Sequence, residues 1–99
     1  MARSKIRMRK WGPVRYLKAE RDIVAYLEAA LEDGHPSVIA AALGDVARAR
    51  GMSAIARKAG LGRESLYKAL APDGNPQLST VLGVLHALGL TLRVESGRA

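Results

Sequence analysis

Residues 52–72 read MSAIARKAGLGRESLYKALAP and contain two short helical patterns that meet at a glycine. Ser53 is a suitable N-cap for a first helix over residues 54–59, whose inner face is apolar. Gly60 can adopt the left-handed conformation that turns the chain sharply, and a second helix follows at once. Two helices joined by a turn of three to four residues that contains glycine are typical of a helix-turn-helix unit. We predict such a unit over residues 53–71.

The second helix of this unit would present polar side chains near its N-terminal end, the part that reaches base edges in the major groove. Arg63 can bond guanine O6 and N7 bidentately, Glu64 can accept from cytosine N4, and Ser65 can pair with several bases. An ordinary solvated helical hairpin is the alternative, but the spacing of the small and apolar residues favours DNA binding. The expected DNA-binding residues are Ser53, Arg57, Arg63, Glu64, Ser65, Tyr67 and Lys68.

The composition indicates one small domain with an aliphatic core. The chain has 99 residues, of which 48% are apolar, and it contains no Phe and only one Trp. Cysteine is absent, which excludes disulfides and thiolate metal sites. No apolar run approaches the roughly 20 residues of a membrane span, and the N-terminal segment lacks the apolar stretch of a secretory signal. We therefore expect a cytoplasmic protein without membrane contact.

The net charge of +7 is concentrated at the N-terminus, because residues 1–18 carry seven Lys or Arg and no acidic residue. Residues 20–46 instead contain six acidic residues and one Arg, and residues 52–71 contain four basic residues and one Glu. This separation of charge favours two different kinds of partner over a uniformly solvated surface. The predicted organisation is a basic N-terminal arm over residues 1–18, followed by a helix-turn-helix domain over residues 19–99.

Apolar residues recur with helical spacing over most of the chain, which predicts an all-α domain of five helices. Besides the two helices above, we predict helices over residues 19–33, 36–49 and 78–88, each followed by a glycine. Residues 90–95 then alternate between apolar and polar, which predicts a short C-terminal β-strand. A single strand needs a partner, so this end is the expected dimer interface. Its expected residues are Leu85, Leu88, Leu90, Leu92 and Val94.

The runs KAERDIVAYLEAAL, ALGDVARARGMSAIARKAGLGRESLYKAL and DGNPQLSTVLGVLHALGL together resemble the probable addiction-module antidote proteins. These are antitoxins of the host-inhibition-of-growth type with a Cro/CI-like helix-turn-helix, and the resemblance covers residues 18–90. It implies a five-helix Cro/CI-like domain, a small RelE-like ribonuclease toxin as partner, and repression of the operon that encodes both. Members of the family typically have Gln in place of Ala54 and Ser or Thr in place of Gly62. These departures put the affinity for DNA, or the target sequence, in question more than the fold.

The resemblance and the charge distribution together suggest where a toxin would bind. RNA-cleaving toxins tend to be basic because they bind RNA, and an acidic first helix could steer their association with the antidote. The alternative is that these acidic residues only solvate a structural helix. The expected toxin-binding residues are Trp11, Tyr16, Ile23, Leu27, Glu28, Leu31 and Glu32. The expected assembly is a homodimer that binds double-stranded operator DNA and forms a hetero-oligomer with the toxin.

Two further function classes remain open beside the antitoxin. One is a stand-alone Cro/CI-type transcriptional regulator without a toxin, and the other is a protein-binding adaptor whose helix-turn-helix is vestigial. An enzyme is the least favoured class, although Ser65 and Lys68 match the S-x-x-K pattern of serine acyl enzymes. Such enzymes need further motifs that this chain lacks, and His35 and His86 do not have the spacing of a metal site. No catalytic residue, metal ion or cofactor is therefore expected.

Overall fold

A computed structural model describes residues 19–97 and contains five α-helices in this part of the chain. They are α1 (Glu20–Asp33), α2 (Pro36–Arg50), α3 (Met52–Ala59), α4 (Arg63–Ala69) and α5 (Leu78–Ala87). The prediction of five helices is confirmed, and the predicted helix ends lie within two residues of the observed ones. The basic arm lies outside the described residues.

α3 and α5 end in the same backbone geometry. After α3, Gly60 has a φ of 73°, and the amide of the next residue donates to the carbonyl of Ala56 at 2.9 Å. After α5, Gly89 has a φ of 78°, and the amide of the next residue donates to the carbonyl of Leu85 at 2.8 Å. A left-handed glycine with this hydrogen bond forms a Schellman motif, which satisfies carbonyls that a helix end leaves unpaired. The two glycines therefore set where these helices stop and how sharply the chain turns.

α2 is the central helix, and all eight residues from Ala40 to Ala47 are buried. Pro36 lies in the first turn of α2, where the fixed φ of proline favours helix formation. Its missing N–H costs no hydrogen bond there, because the first amides of a helix have no acceptor within the helix. α1, α3 and α5 all pack against α2, because most of the buried residues are small. A Cβ atom on Gly44 would lie 2.9 Å from the carbonyl oxygen of Leu70, which follows α4. The small residues of α2 therefore allow its neighbours to pack closely against it.

The core is aliphatic except for one tyrosine. Its largest fully buried side chains are Tyr26, Ile23, Leu43, Leu66, Leu70, Val46 and Val84. α5 also crosses α3 closely, because a Cβ atom on Gly83 would lie 3.7 Å from the Cβ atom of Ala59. Burial of each large side chain contributes about 1.5 to 3 kcal/mol, so these few residues supply most of the driving force for folding. α3 contributes Ile55 to this core and α4 contributes Leu66, so packing against the core holds both helices in place.

The prediction that Ser53 caps α3 is wrong. The helix begins at Met52, its N-cap position is Gly51 with a φ of 100°, and no side chain forms a capping hydrogen bond. Met52 is only 5% exposed, so packing of this side chain draws the start of the helix two residues closer to the N-terminus. Ser53 lies inside the first turn and is exposed.

The predicted strand over residues 90–95 is also wrong for this chain. These residues form neither helix nor strand, and no strand occurs anywhere in residues 19–97. A β-strand needs backbone hydrogen bonds from a neighbouring strand, and the helices around this segment offer no strand edge. Alternating polarity alone is therefore insufficient. Leu90 packs against the core instead, and the chain beyond it is exposed.

Candidate nucleic-acid interface and the acidic helix

α3 and α4 are joined by the three residues 60–62 and pack against each other. Leu66 is fully buried and anchors α4 to the core, and Leu70 is buried directly after the helix. Gly62 occupies the N-cap position of α4 and supplies no side-chain hydrogen bond, as its lack of a side chain predicts. The stability of α4 therefore depends on the packing of Leu66 and Leu70 more than on a side-chain cap at the N-terminus of the helix.

The exposed side of α4 brings together five of the residues that the sequence predicts to bind DNA. They are Arg63, Glu64, Ser65, Tyr67 and Lys68. Leu66 interrupts this polar series and points into the core, as expected for a helix that lies on the surface of the domain. The two remaining predicted residues, Ser53 and Arg57, are exposed on α3.

Six basic side chains are exposed between the end of α2 and the end of α4. They are Arg48, Arg50, Arg57, Lys58, Arg63 and Lys68. The first two lie in the last turn of α2 and the next two in the last turn of α3, where cations interact favourably with the negative end of the helix dipole. We did not single out Arg48 and Arg50 from the sequence. The available signal was that they continue the basic stretch upstream of the predicted unit.

Arg63 and Tyr67 contact each other along the exposed side of α4. The guanidinium carbon of Arg63 lies 5.5 Å from the centroid of the Tyr67 ring. Its Nη2 donates to the Tyr67 hydroxyl at 3.4 Å. Tyr67 is 40% exposed, so its ring lies at the surface and not in the core. The first residue of α4 is thus held by a residue one turn further along.

A buried polar network joins α1 to α2. The Tyr26 hydroxyl donates to Oδ2 of Asp45 at 2.6 Å, and Nη2 of Arg48 donates to Oδ1 of the same carboxylate at 3.2 Å. Asp45 is only 3% exposed, and acidic residues are almost never buried to this extent unless they are paired, as this one is. The sequence interpretation missed this network. The spacing of Asp45 and Arg48 by three residues was the only local sign of it.

Only some of the predicted toxin-binding residues are accessible. Three of them are exposed on α1, namely Glu28, Leu31 and Glu32. Ile23 and Leu27 are 2% and 5% exposed and belong to the core. They could reach a partner only if α1 separated from the domain. Trp11 and Tyr16 lie outside the described residues.

The residues predicted to form the dimer interface also include both buried and exposed side chains. Leu85 is 4% exposed and packs inside the chain's own core. Leu88 and Leu90 are half-buried against the same core. Leu92 is 38% exposed and Val94 is 96% exposed. The exposed apolar side chains of this predicted surface therefore lie in the segment after α5.

The histidines are placed at helix ends. His35 precedes α2, and its Nδ1 lies 2.9 Å from Oδ2 of Asp33, whereas His86 is exposed in the last turn of α5. Within residues 19–97, no group of three or more His, Asp or Glu residues could hold a metal ion. Across the same residues, no helix is both long enough and apolar enough to cross a membrane.

Comparisons with known proteins agree with the resemblance seen in the sequence. The family model described as "Probable addiction module antidote protein" matches residues 7–96. An uncharacterized protein of Haemophilus influenzae is 48% identical over 83 residues, which cover 84% of this chain and 86% of that protein. No solved structure matches the chain significantly. This chain therefore belongs to the family of probable addiction module antidote proteins.

Proposed function

We propose that this protein is an antitoxin that binds and neutralises a small basic toxin of the RelE-like ribonuclease class and represses the operon encoding both. Membership of an antidote family supports the toxin partner. The main observation in support of DNA binding is the exposed polar side of α4. The buried Leu66 on the opposite side fixes this helix to the core. Both partners that we propose act in the cytoplasm, so this is the location we propose. We assign the protein no catalytic role.

The DNA-binding part of the proposal treats α3 and α4 as a Cro/CI-like helix-turn-helix. α4 would enter the major groove, where Arg63 at its first position would bond the O6 and N7 of a guanine. The exposed cations at the ends of α2 and α3 would bind phosphates on either side of the groove and fix the position of α4. Each phosphate contact contributes about 0.9 to the slope of log affinity against log salt, so operator binding should weaken steeply as salt rises.

The experiment that tests this assignment compares Arg63→Ala with the wild type on the protein's own promoter. We expect the substitution to cost about 1 to 3 kcal/mol of operator binding and to reduce the preference over scrambled DNA, because a base contact is lost. Lys68→Ala should weaken binding to both DNAs, and should lower the salt slope by about 1 if its ammonium contacts a phosphate. Footprinting and gel-shift titrations over a range of salt measure these effects.

Arg21→Ala is the matched control, because Arg21 is an exposed arginine on α1, outside the α3–α4 unit. It should bind operator DNA as the wild type does. Equal affinity for operator and scrambled DNA, unchanged by Arg63→Ala, would contradict base reading by α4. Operator binding that persists while no toxin binds the protein would instead support a stand-alone regulator.

The toxin-binding part of the proposal places the contact on the exposed side of α1. Glu28 and Glu32 are both exposed and flank Leu31, which is 37% exposed. Leu31 also lines a shallow apolar depression, with Ile39 of α2 and Val81 of α5 as the other partly buried side chains around it. An apolar side chain of the toxin could pack on the exposed part of Leu31 while basic side chains next to it meet the two glutamates. Such an arrangement combines apolar burial with electrostatic steering.

Reversing Glu28 and Glu32 to Lys should slow association with the toxin, and should do so more at low salt than at high salt. Steering by charge acts on the association rate and is screened within about 10 Å at 0.1 M salt. The fold should persist, because both side chains are exposed and form no ion pair among the described residues. Stopped-flow association at two salt concentrations, with circular dichroism of the free variant, provides the measurement.

Asp73→Lys, compared with Glu28→Lys alone, is the control, because each reverses one exposed carboxylate and Asp73 lies outside both α1 and the segment after α5. This control should retain most of the association rate. The assignment of the toxin contact to α1 and of the DNA contact to α4 would be wrong under one result. In that result, the Glu28 and Glu32 reversal associates with the toxin at the wild-type rate in low salt, while Arg63→Ala does not.

We also propose that the protein binds its operator as a homodimer. One short helix contacts few base pairs, and proteins of this kind bind two half-sites about 34 Å apart with two-fold symmetry. Leu92 and Val94 are the exposed apolar residues that support a contact after α5.

A further inference from the structure

We infer that Tyr67 is a positioning residue for Arg63, so that the two side chains act as one unit that reads a guanine in each operator half-site. The inference rests on the proposed DNA-binding function and extends it to a residue that the major-groove code does not itself assign to a base. The sequence predicts Tyr67 only as one of seven DNA-binding residues and assigns it no partner. The observed contact with Arg63 gives it a specific one.

The geometry of α4 explains why these two residues meet. Side chains on an α-helix tilt toward its N-terminus, so a ring at one position covers the turn that begins four residues earlier. The Tyr67 ring accordingly lies 5.5 Å from the guanidinium carbon of Arg63, and its hydroxyl accepts a hydrogen bond from Nη2 at 3.4 Å. Both residues are exposed, so the pair lies where a DNA groove could reach it.

The position of Arg63 is not one that helix stability favours. It is the first residue of α4, where the positive end of the helix dipole disfavours a cation. No carboxylate among residues 19–97 forms an ion pair with it, even though Glu64 is its neighbour. The contact with Tyr67 therefore holds this arginine without neutralising its charge, and the charge remains available to a nucleic acid.

Stacking on an aromatic ring suits an arginine that must recognise a base. The guanidinium is planar and can stack on a ring while its edge still offers N–H donors to another group. A guanine presents O6 and N7 side by side in the major groove, and an arginine that is already oriented loses less side-chain freedom on binding them. Tyr67 should thus raise operator affinity and specificity only when Arg63 is present.

A double-mutant cycle on the full chain tests this inference, with the dissociation constants for operator and scrambled duplexes as readouts. Tyr67→Leu should weaken operator binding by about threefold to tenfold and leave scrambled binding within about twofold, because only base reading is affected. Tyr67→Phe keeps the ring and should retain most of the affinity. In the Arg63→Ala background, Tyr67→Leu should have no further effect. Thermal unfolding of each variant provides the check on the fold.

Three results would overturn the inference. A loss from Tyr67→Leu that is the same with and without Arg63 would mean that Tyr67 contacts DNA or supports the fold on its own. An equal loss for scrambled DNA would mean that Tyr67 contacts the phosphate backbone. A wild-type protein that does not prefer its operator would contradict the proposed function itself, and the inference would fail with it. The first two results leave the proposed function intact, so the two failures are distinguishable.

Discussion

Removal of residues 91–99 is expected to abolish the proposed dimer and to lower affinity for the proposed operator by about 100-fold or more. Linking two reading helices makes the second binding event intramolecular, which raises affinity by about 10² to 10⁴ without any new contact. The cut comes after Leu90, because this residue packs on the core and its amide bonds to the carbonyl of Leu85 at 2.8 Å. The truncated chain should therefore keep its fold. Sedimentation and gel-shift titration report the two effects.

Point variants of the full chain show whether a loss of the dimer comes from the apolar contact itself or only from shortening the chain. Val94→Glu places a charge at a position that is 96% exposed, so it should not destabilise the monomer, yet it should disrupt an apolar contact between copies. Thr91→Glu adds the same charge at another exposed position of the segment and should leave the dimer in place if the contact is made by the apolar residues. A truncated chain that remains dimeric would show that the interface lies elsewhere.

Asp45→Ala is expected to lower the free energy of unfolding by about 2 to 4 kcal/mol, a large part of the 5 to 15 kcal/mol typical of a domain. The Tyr26 hydroxyl would lose the acceptor that it reaches at 2.6 Å, in a site that is closed to water. Arg48 would also lose its partner, at a smaller cost because its side chain is 41% exposed and can be solvated. Chemical denaturation monitored by circular dichroism measures the change.

Two controls test whether the network itself explains this loss. Asp73→Ala removes an exposed carboxylate and should change stability by less than about 0.5 kcal/mol. Combining Tyr26→Phe with Asp45→Ala should cost less than the sum of the single changes, because the donor and its acceptor are then removed together. Additive effects, or an Asp45→Ala variant as stable as the wild type, would mean that α1 and α2 are held together by apolar packing alone.

Much of the candidate DNA site could be predicted because it depends on local signals. The exposed residues of α4 follow from the positions of Leu66 and of the glycines before it, all within one short stretch. The contact between Arg63 and Tyr67 is local too, since four-residue spacing in a helix places them on adjacent turns. We did not predict it, because spacing shows that two side chains can meet but not that they do.

The five helices, their approximate ends and the family to which the protein belongs could all be predicted from the amino-acid sequence. Helical periodicity, the proline at the start of α2 and the glycines after the helices act within a few residues, so they do not depend on the rest of the fold. Which apolar residues are accessible depends instead on how the helices pack against one another. Ile23, Leu27 and Leu85 share their helical stripes with exposed neighbours. α2 packs over the first two, and α2 and α3 pack against the helix that carries Leu85. The same packing buries Asp45 beside Tyr26, because burial depends on which helices meet, and their meeting joins residues far apart in the chain.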